Sequence, residues 1–219
     1  MDRGRFKDAL WANSKETIVL GGAGGISSYL MLLLARTNQH KIIVYDFDTI
    51  SSVNLGGQFY KESQIGQAKI QAVIANVKEF CKDADITPMR EYIASSMKSP
   101  IMIGGFDNMA ARKLMYDNWK TQSDRELFID PRLSAENYQI YFVTSDRQER
   151  YEATLFTDEQ VKDEPCTFKS TSHFAAIIGG RIVQGLNAYL ANKKVGDEIY
   201  ELPFFIHEVG QLFEIKIEL

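Results

Sequence analysis

The run Gly22-Ala23-Gly24-Gly25-Ile26-Ser27 has the G-x-G-x-x-small spacing of a phosphate-binding turn. Glycine lets the backbone bend sharply and lets a phosphate approach the amides. The helix that follows offers free N–H groups and the positive end of its dipole. Ser27 is small enough at the last position for helix and strand to pack closely. Asp46 lies 22 residues beyond Gly24, at the end of the next apolar run, where a carboxylate can accept hydrogen bonds from ribose hydroxyls. Without a ligand, the same residues would make an ordinary tight turn. A nicotinamide-dependent oxidoreductase and an ATP-using enzyme fit these features equally well.

The elements that must position these residues can be read from apolar periodicity. Residues 17–20 form a short β-branched run ahead of the glycines, residues 26–37 read as a mostly buried helix, and residues 41–46 as a second buried strand. That order makes a βαβ unit with parallel strands. A polar loop follows to about residue 65. Residues 66–81 form an amphipathic helix with Ile70, Val73, Ile74 and Val77 on one face, and Cys81 at its end reads as core. Further strands are expected at 85–90, 101–104, 126–130 and 137–144. A helix is expected over 107–120 with Asp107 as its N-cap, and a long helix rich in small residues over 172–191. Two short strands, 204–207 and 212–217, close the chain as a hairpin. The expected fold is α/β: a Rossmann-like, mostly parallel sheet flanked by helices, with a mixed or antiparallel C-terminal part. We expect a single domain over 1–219, with a nucleotide-binding half to about residue 120 and an acceptor half from 121.

Composition narrows the functional classes. A net charge of −4 over 219 residues argues against a nucleic-acid binder held by overall charge. Two cysteines, Cys81 and Cys166, imply no disulfide framework and exclude a four-thiolate zinc site within one chain, so a cytoplasmic setting is the simplest. The charged start, residues 1–11, does not read as a signal peptide. The longest apolar run, residues 26–35, is about half the length that spans a bilayer, so no membrane partner is expected.

A longer series of residues separates the two nucleotide readings. Tyr45-Asp46-Phe47-Asp48-Thr49 is followed by Asn54-Leu55, Gln58-Phe59, Ile65-Gly66 and Lys69. Asp107-Asn108 with Arg112, and Phe128-Ile129-Asp130-Pro131-Arg132, come later. The order and spacing resemble the ThiF/MoeB/HesA family, the adenylating domain of ubiquitin-activating-type enzymes, over roughly residues 5–190. The resemblance implies ATP and Mg²⁺ as cofactors. It also implies, as substrate, the C-terminal carboxylate of a small ubiquitin-like (β-grasp) or sulfur-carrier protein, or of a peptide. By the same resemblance Gly22, Gly24, Gly25, Asp46, Asp48, Asn54, Gln58 and Lys69 would hold the nucleotide, with Lys69 on the phosphates and Asp46 on the ribose. Asp107 would hold Mg²⁺ near the α-phosphate. Each has a plainer alternative: a solvated helix lysine for Lys69, a helix cap for Asp107, turn formers for Asp48 and Asn54.

Two further expectations rest on the same likeness. Arg5 would cross a homodimer interface into the partner's active site. Cys166, in Pro165-Cys166-Thr167, would attack the adenylate to give a thioester. Lys169 and the following helix would lower its thiol pKa. One residue departs from the family pattern: Gly57 stands where an arginine usually precedes the glutamine. That change favours a non-catalytic partner subunit as the alternative, unless Arg132 or the glycine amides replace the lost cation.

Overall fold

The computed structural model describes residues 6–37, 39–92, 97–157 and 171–219. Arg5 and Cys166 lie outside the described residues. The central strands are apolar on both sides because helices cover both faces of the sheet. Strand β1 (Thr17–Gly21) shows this directly. Ile18 and Leu20 pack with α1 (Gly25–Thr37), α2 (Lys69–Phe80) and α5 (Ser172–Val195), while Val19 packs with α3 (Met109–Lys120) and α4 (Gln148–Glu152) on the opposite face. In the same way Ile101 and Ile103 of β4 (Ile101–Gly104) face the first group and Met102 the second.

The eight strands run in the order β3-β2-β1-β4-β5-β6-β7-β8. The remaining strands are β2 (Lys41–Tyr45), β3 (Ile86–Met89), β5 (Leu127–Ser134), β6 (Asn137–Val143), β7 (Phe205–Val209) and β8 (Glu214–Glu218). Pairing is parallel from β3 across to β5 and antiparallel from β5 to β8. The α/β class and the change from parallel to mixed pairing therefore match the sequence reading. Cys81 is buried at the end of α2, as expected of a core residue. Among the described residues no helix is long and apolar enough to cross a membrane.

Three local expectations need correction. The second helix starts at Lys69 rather than residue 66, because Thr49 and Ala68 form a β-bridge that holds the chain extended up to the helix. The cap of α3 is Asn108, whose side chain accepts from the Ala111 amide at 2.8 Å; Asp107 is not the cap. The last long helix continues to Val195, where Gly196 ends it in the left-handed region at φ 77°. Helix α4 went unread because five residues show no apolar period.

Candidate functional site

The register of the parallel strands sets the floor of the site. Gly21 of β1 pairs with Tyr45 of β2 and with Gly104 of β4, and Ile103 pairs with Ile129 of β5. The residues that follow on the first three strands, Gly22, Asp46 and Gly105, therefore leave the sheet together at its carboxyl edge, while β5 runs on through Asp130 in its pairing with β6. The strand order reverses between β1 and β4. At such a switch point the outgoing loops diverge and leave a crevice. A cavity of about 860 Å³ opens there. Gly22, Gly24, Gly25, Asp46, Asp48, Gln58, Lys69 and Asp107 all line it, and Asn54 does not.

Gly22 sits at φ 81°, and a Cβ there would lie 2.9 Å from the Gly105 carbonyl oxygen. Both facts require glycine. Gly22→Ala is expected to destabilise the fold by roughly 1–3 kcal/mol, read by urea unfolding. An unchanged midpoint would show that the turn tolerates a side chain. Beside Gly24 the space is open to a ligand. The turn is held from outside by Asp46, whose Oδ2 accepts from the Ala23 amide and Oδ1 from the Asp48 amide, each at 2.7 Å. Tyr60 donates its hydroxyl hydrogen bond to the Ala23 carbonyl. Burial pushes the Asp46 carboxyl above the ordinary aspartate value, against the two amides and Lys69, which favour the anion. The carboxylate that would bind ribose thus also shapes the glycine turn, leaving its remaining lone pairs for a ligand.

Lys69 opens α2 and is buried, with its Nζ 2.8 Å from Oδ2 of the exposed Asp48. The backbone repeats the contact, since the Lys69 amide donates to the Asp48 carbonyl at 3.0 Å. Asp48 therefore aims Lys69 into the cavity. Asn54 works at a distance. Its Oδ1 accepts from the Ser51 amide and hydroxyl, and its carbonyl accepts from the amides of Gly57 and Gln58. This makes it the turn former that presents Gln58. The Gln58 Oε1 is buried and has no partner among the described residues. An orphaned acceptor at the cavity wall calls for a donor from a ligand or a bound water.

On the β4 side Asp107 is exposed and lines the cavity. Asn108 takes the capping role, and the Asp107 carboxylate, whose Oδ1 accepts from the Asn108 side-chain amide at 3.3 Å, faces the cavity where it can meet a cation. Among the described residues no group of three or more His, Cys, Asp or Glu side chains is placed to hold a metal. Asp107 supplies one carboxylate, which would suit Mg²⁺ together with substrate phosphates and water. Next to it lies a buried ion network. Arg112 donates to Oδ1 of Asp130, to the Pro131 carbonyl at 2.7 Å and to the Phe106 carbonyl. Arg132 donates to the other Asp130 oxygen at 2.8 Å and to Thr154, and lies over the Tyr141 ring at 4.5 Å. Burial alone would raise the Asp130 carboxyl; the two guanidinium groups outweigh it and hold it below the ordinary aspartate value. Two arginines against one carboxylate leave a net positive charge on this wall.

Beyond Arg132 the cavity continues along the antiparallel strands, past Ser134, Asn137, Gln139 and His207. The sheet register puts Arg132 opposite Gln139 and Gln139 opposite His207. Sequence reading missed this polar wall, as it missed Tyr60. Neither carries a local motif, and His207 joins only through a strand pairing 68 residues away from Gln139. His173 is the second residue of α5 and is exposed.

The same fold occurs in solved structures. Over 96% of its length this chain superposes on Escherichia coli MccB crystallised with succinimide, with a TM-score of 0.73 at 14% identity, covering 65% of that chain. PaaA gives 0.70 at 15% identity over 97% of this chain and 65% of that chain. In sequence, the chain is 28% identical to the SUMO-activating enzyme subunit uba-2 of Caenorhabditis elegans over 174 residues, 74% of this chain and 30% of the relative. It therefore spans about a third of that relative and 65% of the matched structures' chains. A family model covers residues 8–211, nearly the whole sequence, and the chain belongs to the ThiF family.

Proposed function

We propose that this chain adenylates a carboxylate at the C-terminus of a small β-grasp ubiquitin-like protein or peptide, using MgATP. One observation carries the reading. The glycine turn, Asp46, Lys69 and Asp107 meet in one cavity that also runs on past Arg132 to a polar sheet wall, giving room for a second substrate. In the reaction a carboxylate oxygen forms a bond to the α-phosphorus while the bond from that phosphorus to the bridging oxygen breaks. The products are an acyl-adenylate and pyrophosphate. Charge develops on the α-phosphate and on the leaving group. Lys69 and the amides of the glycine turn meet that charge; Asp107 would hold the metal, which would supply further electrostatic screening. A thioester on Cys166 would follow, and assembly as a homodimer belongs to the same reading. The kinship with a SUMO-activating enzyme subunit supports it.

The test is ATP–pyrophosphate exchange with candidate acceptors, β-grasp proteins ending in Gly-Gly and free peptides. Exchange that depends on the acceptor's free carboxylate is expected, and masking that carboxylate as an amide should abolish it. Gly57 in place of arginine favours a second reading, a non-catalytic subunit of an activating enzyme. ATP binding without exchange in the presence of the true acceptor would establish that alternative.

A further inference from the structure

We propose that Phe47 and Tyr92 form an aromatic clamp for the nucleobase, so that stacking on these rings helps set which nucleotide the cavity holds. The clamp rests on the nucleotide reading of the cavity. It concerns the part of the ligand that the glycine turn, Asp46 and Lys69 leave without a partner. Strand order fixes where a base must lie. Phosphates over the glycine turn sit at the end of β1, a ribose on Asp46 sits at the end of β2, and β3 is the next strand outward. A ligand that runs from the turn to Asp46 and onward therefore meets the end of β3. The Asp46 amide donates to the Met89 carbonyl at 3.2 Å, which ties these two strand ends together. Phe47 follows Asp46 directly, and Tyr92 comes three residues after Met89. Both line the cavity, with ring centroids 5.1 Å apart and planes 36° from one another.

Neither ring serves the core. Phe47 is 51% and Tyr92 60% exposed, and neither belongs to the two clusters of buried side chains that join the sheet to its helices. Two aromatic rings against each other at a cavity rim keep apolar faces in water that a flat aromatic ligand would cover. Stacking accepts any base, since every base has a π-face, and its preferences follow stacking strength rather than a hydrogen-bonded edge. Adenine has two fused rings and cytosine one, and both carry an exocyclic amine. The clamp therefore ranks MgATP above MgCTP by ring area alone.

Isothermal titration calorimetry on the 219-residue chain, without acceptor, tests this with MgATP, MgCTP and inorganic tripolyphosphate. Tyr92→Ala and Phe47→Ala should each weaken MgATP binding by about 5- to 150-fold, the range that loss of one stacking partner costs. Tyr92→Phe keeps the ring and should bind as wild type does. Phe47→Leu stays apolar but cannot stack, so it should lose affinity as the alanine variant does. Tripolyphosphate has no base, and every variant should hold it alike. Melting temperatures should stay level because both rings are exposed. With both rings replaced by alanine, the preference for MgATP over MgCTP should shrink. Alanine variants that bind MgATP as tightly as wild type overturn the clamp and leave the nucleotide reading standing. So does a preference for MgATP over MgCTP that survives loss of both rings. A wild-type chain that binds no MgATP at all removes the clamp and the nucleotide reading together.

Discussion

Replacing Lys69 with alanine is expected to lower acceptor-dependent ATP–pyrophosphate exchange by about 10²–10³-fold, the usual cost of losing one positioned donor to a developing charge. The geometry behind this is specific. Lys69 is buried at the start of α2, held to Asp48 by both side chain and backbone, and faces a cavity whose other walls are the glycine turn and Asp107. With Gly57 in the arginine position, Lys69 is the only cation lining the nucleotide end among the described residues; Arg112 and Arg132 stand on the far wall with Asp130. The fold itself should barely register the change. Asp48 is exposed, so its loss of a partner resembles breaking a surface ion pair, worth about 0–1 kcal/mol. Exchange kinetics and a thermal melt on the same sample separate the two effects. Near-normal exchange by a well-folded Lys69→Ala variant would remove this lysine from the chemistry and leave it a buried partner of Asp48.

The second large effect concerns stability. Asp130→Asn is expected to destabilise the protein by about 3–5 kcal/mol near neutral pH, because it leaves the buried Arg112 and the largely buried Arg132 guanidinium without their carboxylate. The Tyr151 hydroxyl, 3.0 Å from Oδ2, can still find an acceptor in the amide, so the loss is mainly one of charge. The pH dependence has a definite sign. Folding lowers the Asp130 pKa, so the folded state binds fewer protons than the unfolded chain in the acid range. Its contribution is therefore full above the unfolded aspartate value, about 3.9, and is lost as pH falls below that toward the depressed folded value. The gap in unfolding free energy between wild type and variant should be constant from neutral pH to about pH 5, then narrow in stronger acid. Urea titrations across that range measure it. A gap of under 1 kcal/mol at pH 7, or one that grows on acidification, contradicts the assignment.

These two residues show how differently parts of the site were legible. Lys69 stood in a run of recognisable spacing with Asp46 and Asp48, and the structure brings all three to one cavity. The spacing could not tell that Asp48 aims Lys69, or that Asp46 holds the glycine turn through the Ala23 amide, because those contacts depend on where the loop folds back. Asp107 and Asn108 are both capping residues by type. Only the path of the backbone into α3 decided that Asn108 reaches the Ala111 amide, and that choice leaves Asp107 available to the cavity. Cys166 and Arg5 lie outside the described residues, so their roles stay with the biochemical tests.

By itself the sequence determined the parallel half of the fold and the place of the phosphate turn. Buried strands there are unbroken apolar runs, and a chain that must adopt φ 81° against a neighbouring carbonyl needs glycine at that point. Both are local requirements, written in consecutive residues. Tertiary structure decided the far wall of the cavity. Asp130 shared between Arg112 and Arg132 depends on how α3 packs against β5, and Gln139 comes beside His207 only after α5 has carried the chain back to the sheet. Long-range pairing register of this kind is set by the packed core as a whole, so no stretch of sequence contains it.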